Sequence, residues 1–197
     1  MKFLSPISVS SIVLAGIVGT AQASDFNYDY VEGGYSNYNI DEVDSAFGVS
    51  GSYDVAENIN IIGSYSKADI DTGTPMNLSV NKLLVGVGYH KEIAPKTDIL
   101  ADISYLKIEG EVSVNGATVS ASDSGYGLGV GVRHQLTDNI EGNARISYEN
   151  IDEESDTAVS VGGRYKINEA MSAGLDLTTV TNEGPEIIST SLRWNFL

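Results

Sequence analysis

Hydrophobic and polar residues alternate along most of this chain with a period of two. In the last stretch Ile188, Thr190, Leu192, Trp194 and Phe196 fall on one face, and Ser189, Ser191, Arg193 and Asn195 on the other. Successive side chains of a β-strand point to opposite faces, so the pattern predicts a strand. Ten such segments can be marked, at roughly 26–38, 45–55, 59–69, 82–92, 97–108, 124–136, 140–151, 157–167, 171–182 and 186–196. Each is close to the roughly nine to eleven residues with which a tilted strand crosses a bilayer. No stretch of comparable length carries a helical period.

The connections come in two kinds that alternate. Four are short, at 55–59, 93–97, 136–140 and 167–171: an apolar residue, three mostly polar ones and, in three of the four, a second apolar residue. That is a hairpin turn used repeatedly. The others, at 39–44, 70–81, 111–123, 152–156 and 183–185, are mostly longer and in places strongly acidic. Alternating short and long connections, with both termini on the short side, predict an all-β fold: a transmembrane up-and-down antiparallel β-barrel of ten strands, with eight as the fallback. Bacterial outer-membrane barrels combine even strand number, short periplasmic turns and longer outer loops. A propeller or solenoid also repeats, but without that alternation of connections.

Parity then sorts the side chains. One face carries Phe47, Val49, Val85, Val87, Ile99, Ile103, Leu128, Val130, Val159 and Val161. On the same face Tyr53, Tyr89, Tyr165, Trp194 and Phe196 lie beside the short turns or the terminus, whereas Tyr65, Tyr105 and Tyr148 lie further along their strands. At about 3.3 Å per residue the two groups sit roughly 15–20 Å apart in height. Two levels of amphipathic rings around an apolar band predict an aromatic girdle facing lipid. The opposite face is polar and small. It predicts a lumen network pairing Arg133, Arg145, Arg164 and Arg193 with Glu32, Asp102, Glu141 and Asp176, because buried charges need partners.

Composition narrows the function. The formal net charge is −16, with 27 acidic against 11 basic residues. Because the lumen face carries both signs in near balance, most of the acidic excess is assigned to the outer loops. So acidic a chain is unsuited to nucleic acid, which demands basic patches. Cysteine is absent, which excludes disulfide staples, thiolate zinc sites and cysteine catalysis. Lys2, an apolar middle and Ala21-Gln22-Ala23 predict a signal peptide over 1–23, cut after Ala23, with the barrel over 24–197. The two histidines, His90 and His134, lie near short turns with opposite parity, so they form no catalytic set. Acidic clusters at Asp41, Glu42 and Asp44, and at Asp152, Glu153, Glu154 and Asp156, could take weak divalent cations, Ca²⁺ or Mg²⁺, but match no twelve-residue calcium loop. No metal site and no cofactor are expected.

Three phrases carry a resemblance: Y-D-Y-V-E-G-G-Y-S-N (28–37), F-G-V-S-G-S-Y-D-V-A-E-N-I (47–59) and V-G-V-G-Y-H-K-E-I-A-P-K-T-D (85–98). With them the chain resembles the small outer-membrane β-barrel proteins of gammaproteobacteria, relatives of the OmpA/OmpX-like barrels, and in particular the short proteins of xanthomonads. The resemblance implies an outer-membrane barrel and no catalytic residues. Because the sequence stops at its last strand, no appended peptidoglycan-binding domain is expected. Partners expected from the resemblance are outer-membrane lipid, lipopolysaccharide and the barrel-assembly machinery. The functional expectation is a non-enzymatic structural or surface-interaction protein acting through acidic extracellular loops. A narrow channel through the lumen is the alternative.

Overall fold

The computed structural model describes residues 26–40, 43–71, 77–114, 117–152, 154–181 and 184–196. Ten strands follow one another: β1 Tyr30–Ile40, β2 Val43–Ala56, β3 Ile59–Asp71, β4 Asn77–Ala94, β5 Thr97–Val114, β6 Ala117–Thr137, β7 Ile140–Ile151, β8 Glu154–Lys166, β9 Met171–Val180 and β10 Glu186–Asn195. Each pairs antiparallel with its sequence neighbours, and β1 closes on β10, placing Glu32 opposite Arg193 and Val31 opposite Trp194. The barrel has ten strands, so the eight-strand fallback drops out. Closure removes every edge within the membrane, where an unpaired backbone group would be costly.

Three of the four short turns share one device. The register slips by a residue just before them, between Asp54 and Ala56, Glu92 and Ala94, and Gln135 and Thr137. Asn58 and Lys96 then take left-handed φ values of 63° and 62°. A tight turn followed by a left-handed residue and a bulge twists the hairpin in the sense the sheet requires. The adjoining strand ties each turn down: His90 N donates to Asn58 O at 3.2 Å, Gln135 N to Lys96 O at 2.9 Å and Lys166 N to Asn139 O at 2.9 Å.

Two predicted boundaries move. Much of 70–81 and 111–123, read as loop, is strand: β4 begins at Asn77, β5 runs 18 residues and β6 runs 21. Crossing the bilayer takes about half of that, so this hairpin stands out beyond the membrane. Its upper residues meet water on both faces, the apolar Val112 and Val119 as well as the polar Thr118, Ser120 and Ser122. At the other end β1 starts at Tyr30, not at 26, and residues 26–29 leave the sheet.

The outer surface is apolar: Val85, Val87, Ile103, Val130, Ile146, Val161, Leu177 and Leu192 are all exposed. On a water-soluble protein so continuous a patch would drive aggregation, whereas a bilayer needs it. Tyr53, Tyr89, Tyr165, Trp194 and Phe196 lie on this surface towards the short-turn end, with Trp194 and Phe196 edge to face at 5.5 Å. Tyr65 and Tyr105 are exposed higher up, and Tyr148, half-buried, tilts against Tyr126 at 6.3 Å. Tyr126, Tyr35 and Phe47 complete the upper level, Tyr35 meeting Phe47 at 5.0 Å.

Candidate functional site

Nearly all the polar chemistry that the fold gathers inside lies in the half of the lumen next to the short turns. Glu32 on β1 takes Arg164 Nη2 at 2.9 Å and Arg193 Nε at 2.5 Å. Arg133 on β6 closes on both oxygens of Glu141 on β7, at 2.8 and 2.6 Å, and Arg164 Nε approaches the same carboxylate at 3.8 Å. Arg145 pairs with Asp102: its Nη2 donates to Oδ1 at 2.9 Å and its Nη1 lies 2.6 Å from Oδ2. Six strands are thus joined across the lumen. Inward glycines make this possible: a Cβ on Gly129 would strike the Arg145 guanidinium and Asp102, and one on Gly174 would come within 2.9 Å of Arg164 Nη2. Asp176 is the exception to the expected network. It accepts from Asn143 Nδ2 at 3.2 Å and forms no ion pair among the described residues, because Arg164 and Arg193 already converge on Glu32.

The segment before β1 plugs this end. Phe26 and Tyr28 are buried with Leu100. The Arg133 guanidinium lies over the Phe26 ring at 4.4 Å and the Tyr28 ring at 5.4 Å, and Arg193 lies over Tyr30 at 3.9 Å. Tyr28 donates to Asp98 Oδ2 at 2.8 Å and stacks on His90 at 4.6 Å. His90 is buried inside, with Nε2 3.8 Å from Asp54 Oδ1, whereas His134 is exposed and bonded to Thr97 at 2.8 Å. The two rings therefore face opposite sides. Asn27 Nδ2 donates to Phe196 O at 2.9 Å, fastening the plug to the chain end.

Above the ion pairs the inner face changes character, which corrects the expectation that it is polar throughout. Tyr38, Ala46, Ile62, Ala68, Ile70, Val80, Leu84, Leu106, Ile108, Ile151, Ala158, Val180 and Ile187 pack into one buried apolar cluster. They come from nine of the ten strands, so the cluster crosses the whole lumen. Among the described residues one buried pair, Lys82 with Glu149, sits on this half. Parity offered a signal for these residues: Leu100 and Leu106 alternate with the lipid-facing Ile103 and Tyr105, and Tyr28 and Tyr30 share the face of Glu32. Among the described residues no three His, Asp or Glu side chains are grouped to hold a metal. Asp41, Glu42 and Glu153 of the acidic clusters, and the signal segment 1–23, lie outside the described residues.

Closed strand pairing, an apolar exterior with aromatics at two heights and a charged interior define a transmembrane β-barrel of the bacterial outer-membrane class. Residues 9–166 match the outer membrane protein beta-barrel domain family, and the chain belongs to that family. No curated protein matches it. Among solved structures, the chain is similar to the KdgM porin, with a TM-score of 0.53 and 12% identity over 85% of this chain and 99% of that one. It is also similar to the Neisserial surface protein A, NspA, with a TM-score of 0.50 and 14% identity over 85% and 96%. At these identities the likeness is one of fold. The family assignment stops at the small outer-membrane barrel and does not reach the xanthomonad subgroup.

Proposed function

We propose that the protein is a closed, non-enzymatic outer-membrane barrel that acts at the cell surface through its outer hairpins. The observation that carries this reading is the filled lumen: an ion-paired layer with its plug below, and an apolar layer drawn from nine strands above. Buried apolar side chains offer an ion no replacement for its hydration shell. On the outer surface, among the described residues, β6 has an unpaired edge. Its pairing with β7 starts only at Gly125, although its pairing with β5 extends to Ala117. Ser124 O accepts from Asp152 N at 3.5 Å, so Thr118, Ser120 and Ser122, two residues apart along the strand, turn their backbone N–H and C=O groups to the same unpaired side. An extended segment can add to such an edge by main-chain hydrogen bonds. Glu109, Glu111 and Asp123 beside it favour a segment carrying lysine or arginine.

A narrow channel is the second reading, favoured by the cavity at the short-turn end described below. Planar-bilayer recording separates the two. The closed reading expects no steady steps, and stepwise conductance abolished by Arg133→Ala or Arg164→Ala would overturn it. Around the barrel the apolar band and girdle suit outer-membrane lipid and lipopolysaccharide, and insertion by the barrel-assembly machinery is part of the same proposal. Weak Ca²⁺ or Mg²⁺ binding at the outer carboxylates belongs to the same proposal, as does removal of 1–23 on export. N-terminal sequencing of protein from outer membranes should begin at Ser24.

A further inference from the structure

A cavity of about 380 Å³ opens at the short-turn, periplasmic end of the barrel, between the plug and strands β6 to β10. Five basic side chains line it, Lys96, Arg133, Arg164, Lys166 and Arg193, against three acidic ones. The chain holds only 11 Lys and Arg against 27 Asp and Glu, so nearly half its positive charge is gathered in one pocket of an acidic protein. Most of the guanidinium donors in it are occupied. Arg133 closes on Glu141, and Arg164 reaches Glu32, Ser172 and Ser191. Arg193 is different. Its Nε meets Glu32 and its plane lies over Tyr30, but Nη1 and Nη2 have no acceptor among the described residues, although only 4% of the residue is exposed.

Both terminal nitrogens keep some accessible surface where Arg193 lines the cavity, so a molecule entering it can reach them. Two N–H groups fixed side by side are the geometry that a carboxylate or phosphate completes with paired hydrogen bonds. The volume falls at the small end of the roughly 300–1,000 Å³ usual for ligand sites. The amides of Asn27, Gln135 and Asn195, with Ser172, supply further polar contacts around it. We propose that the periplasmic mouth is a binding site for a small oxyanion, a carboxylate or phosphate group seated on the terminal nitrogens of Arg193, with Lys96 and Lys166 drawing it in at the rim. The site is independent of what the outer hairpins bind and needs only the barrel's orientation in the membrane.

The oxyanion could be borne by a soluble periplasmic molecule or by an anionic lipid headgroup. The protein, folded in zwitterionic micelles, would be titrated with inorganic phosphate and with acetate at an ionic strength matched by chloride, while the arginine side-chain N–H resonances are followed by NMR. A third arm dopes the micelle with phosphatidylglycerol. Saturable movement of the Arg193 signals, with those of Arg145 outside the cavity unmoved, supports the site. A response to the soluble anions assigns a soluble source, and a response to the lipid alone assigns a headgroup. The rim variant Lys96→Gln/Lys166→Gln, whose side chains are outside the buried pairs, should weaken binding by about two- to fivefold per lysine. Arg193→Lys keeps the charge but loses the paired donors, and should weaken it by at least about tenfold. Arg193 signals that follow chloride as they follow phosphate, or that stay still in all three arms, would overturn the proposal.

Discussion

Glu32 has no exposed side-chain surface and serves two arginines at once, Arg164 and Arg193. Replacing it with glutamine leaves two buried cations without their shared counter-charge. Breaking a buried pair by neutralising one partner costs about 3–5 kcal/mol, so Glu32→Gln should lower the urea midpoint of the barrel in lipid vesicles by a corresponding margin. Lys67 and Asp69 form a contrasting pair at 3.7 Å on the surface, 50% and 82% exposed, and Lys67→Ala should leave that midpoint within error because water screens such pairs. Glycines divide in the same way. A Cβ on Gly125 would collide with the Asn150 carbonyl of the adjoining strand, whereas one on Gly33 meets nothing within 4 Å. Backbone cannot step aside as a side chain can, so Gly125→Ala should cost about 1–3 kcal/mol. Gly33→Ala, measured by the same urea titration, should cost little. The arginines and their acids could be named from the sequence because parity put them on one face. Which acid met which arginine could not, since the partners of Glu32 lie on strands far away in the chain. Asp176, on the right face, lost its expected arginine to that arrangement.

At the scale of the element, the β5–β6 hairpin shows strand pairing running on beyond the membrane. Val112, Val119 and Ala121 still alternate there with Ser113, Ser120 and Ser122. The segment read as loop on its length and acidic residues, although it is paired strand. The short turns were legible because their residues recur in the sequence, an apolar residue followed by three mostly polar ones, and three of the four form the same bulge. Because the projecting hairpin adds nothing to the lumen packing, Ser120→Pro should leave barrel stability unchanged. Proline there removes an N–H only from the unpaired edge. Binding of a lysine-rich extended peptide, followed by amide hydrogen exchange at Thr118 and Ser122, should protect those amides in the native protein and not in the variant. Protection that persists in Ser120→Pro would move the docking surface away from this edge.

For the whole molecule, the exposed apolar band and the girdle specify where the barrel sits. Trp194, the single tryptophan of the chain, is 55% exposed on the outer surface beside Phe196. In vesicles its emission should be blue-shifted and quenched by lipids brominated near the headgroup more than by those brominated at the chain ends. Water-like emission unaffected by either lipid would mean that this face does not meet the membrane. The folded barrel should also migrate differently before and after boiling on a gel, as a closed hydrogen-bonded cylinder resists the detergent until heated.

The sequence by itself determined the number of strands, their faces, the short-turn and long-loop sides, and the charged character of the lower lumen. Those features are local: period two and turn chemistry act between residues close along the chain. The tertiary structure alone decided the pairing of charges, the apolar layer that crosses the upper lumen, the plug of Phe26 and Tyr28 and the open donors of Arg193. Each of these depends on closure of β1 against β10, which fixes the height of every inward side chain relative to strands that are distant in sequence.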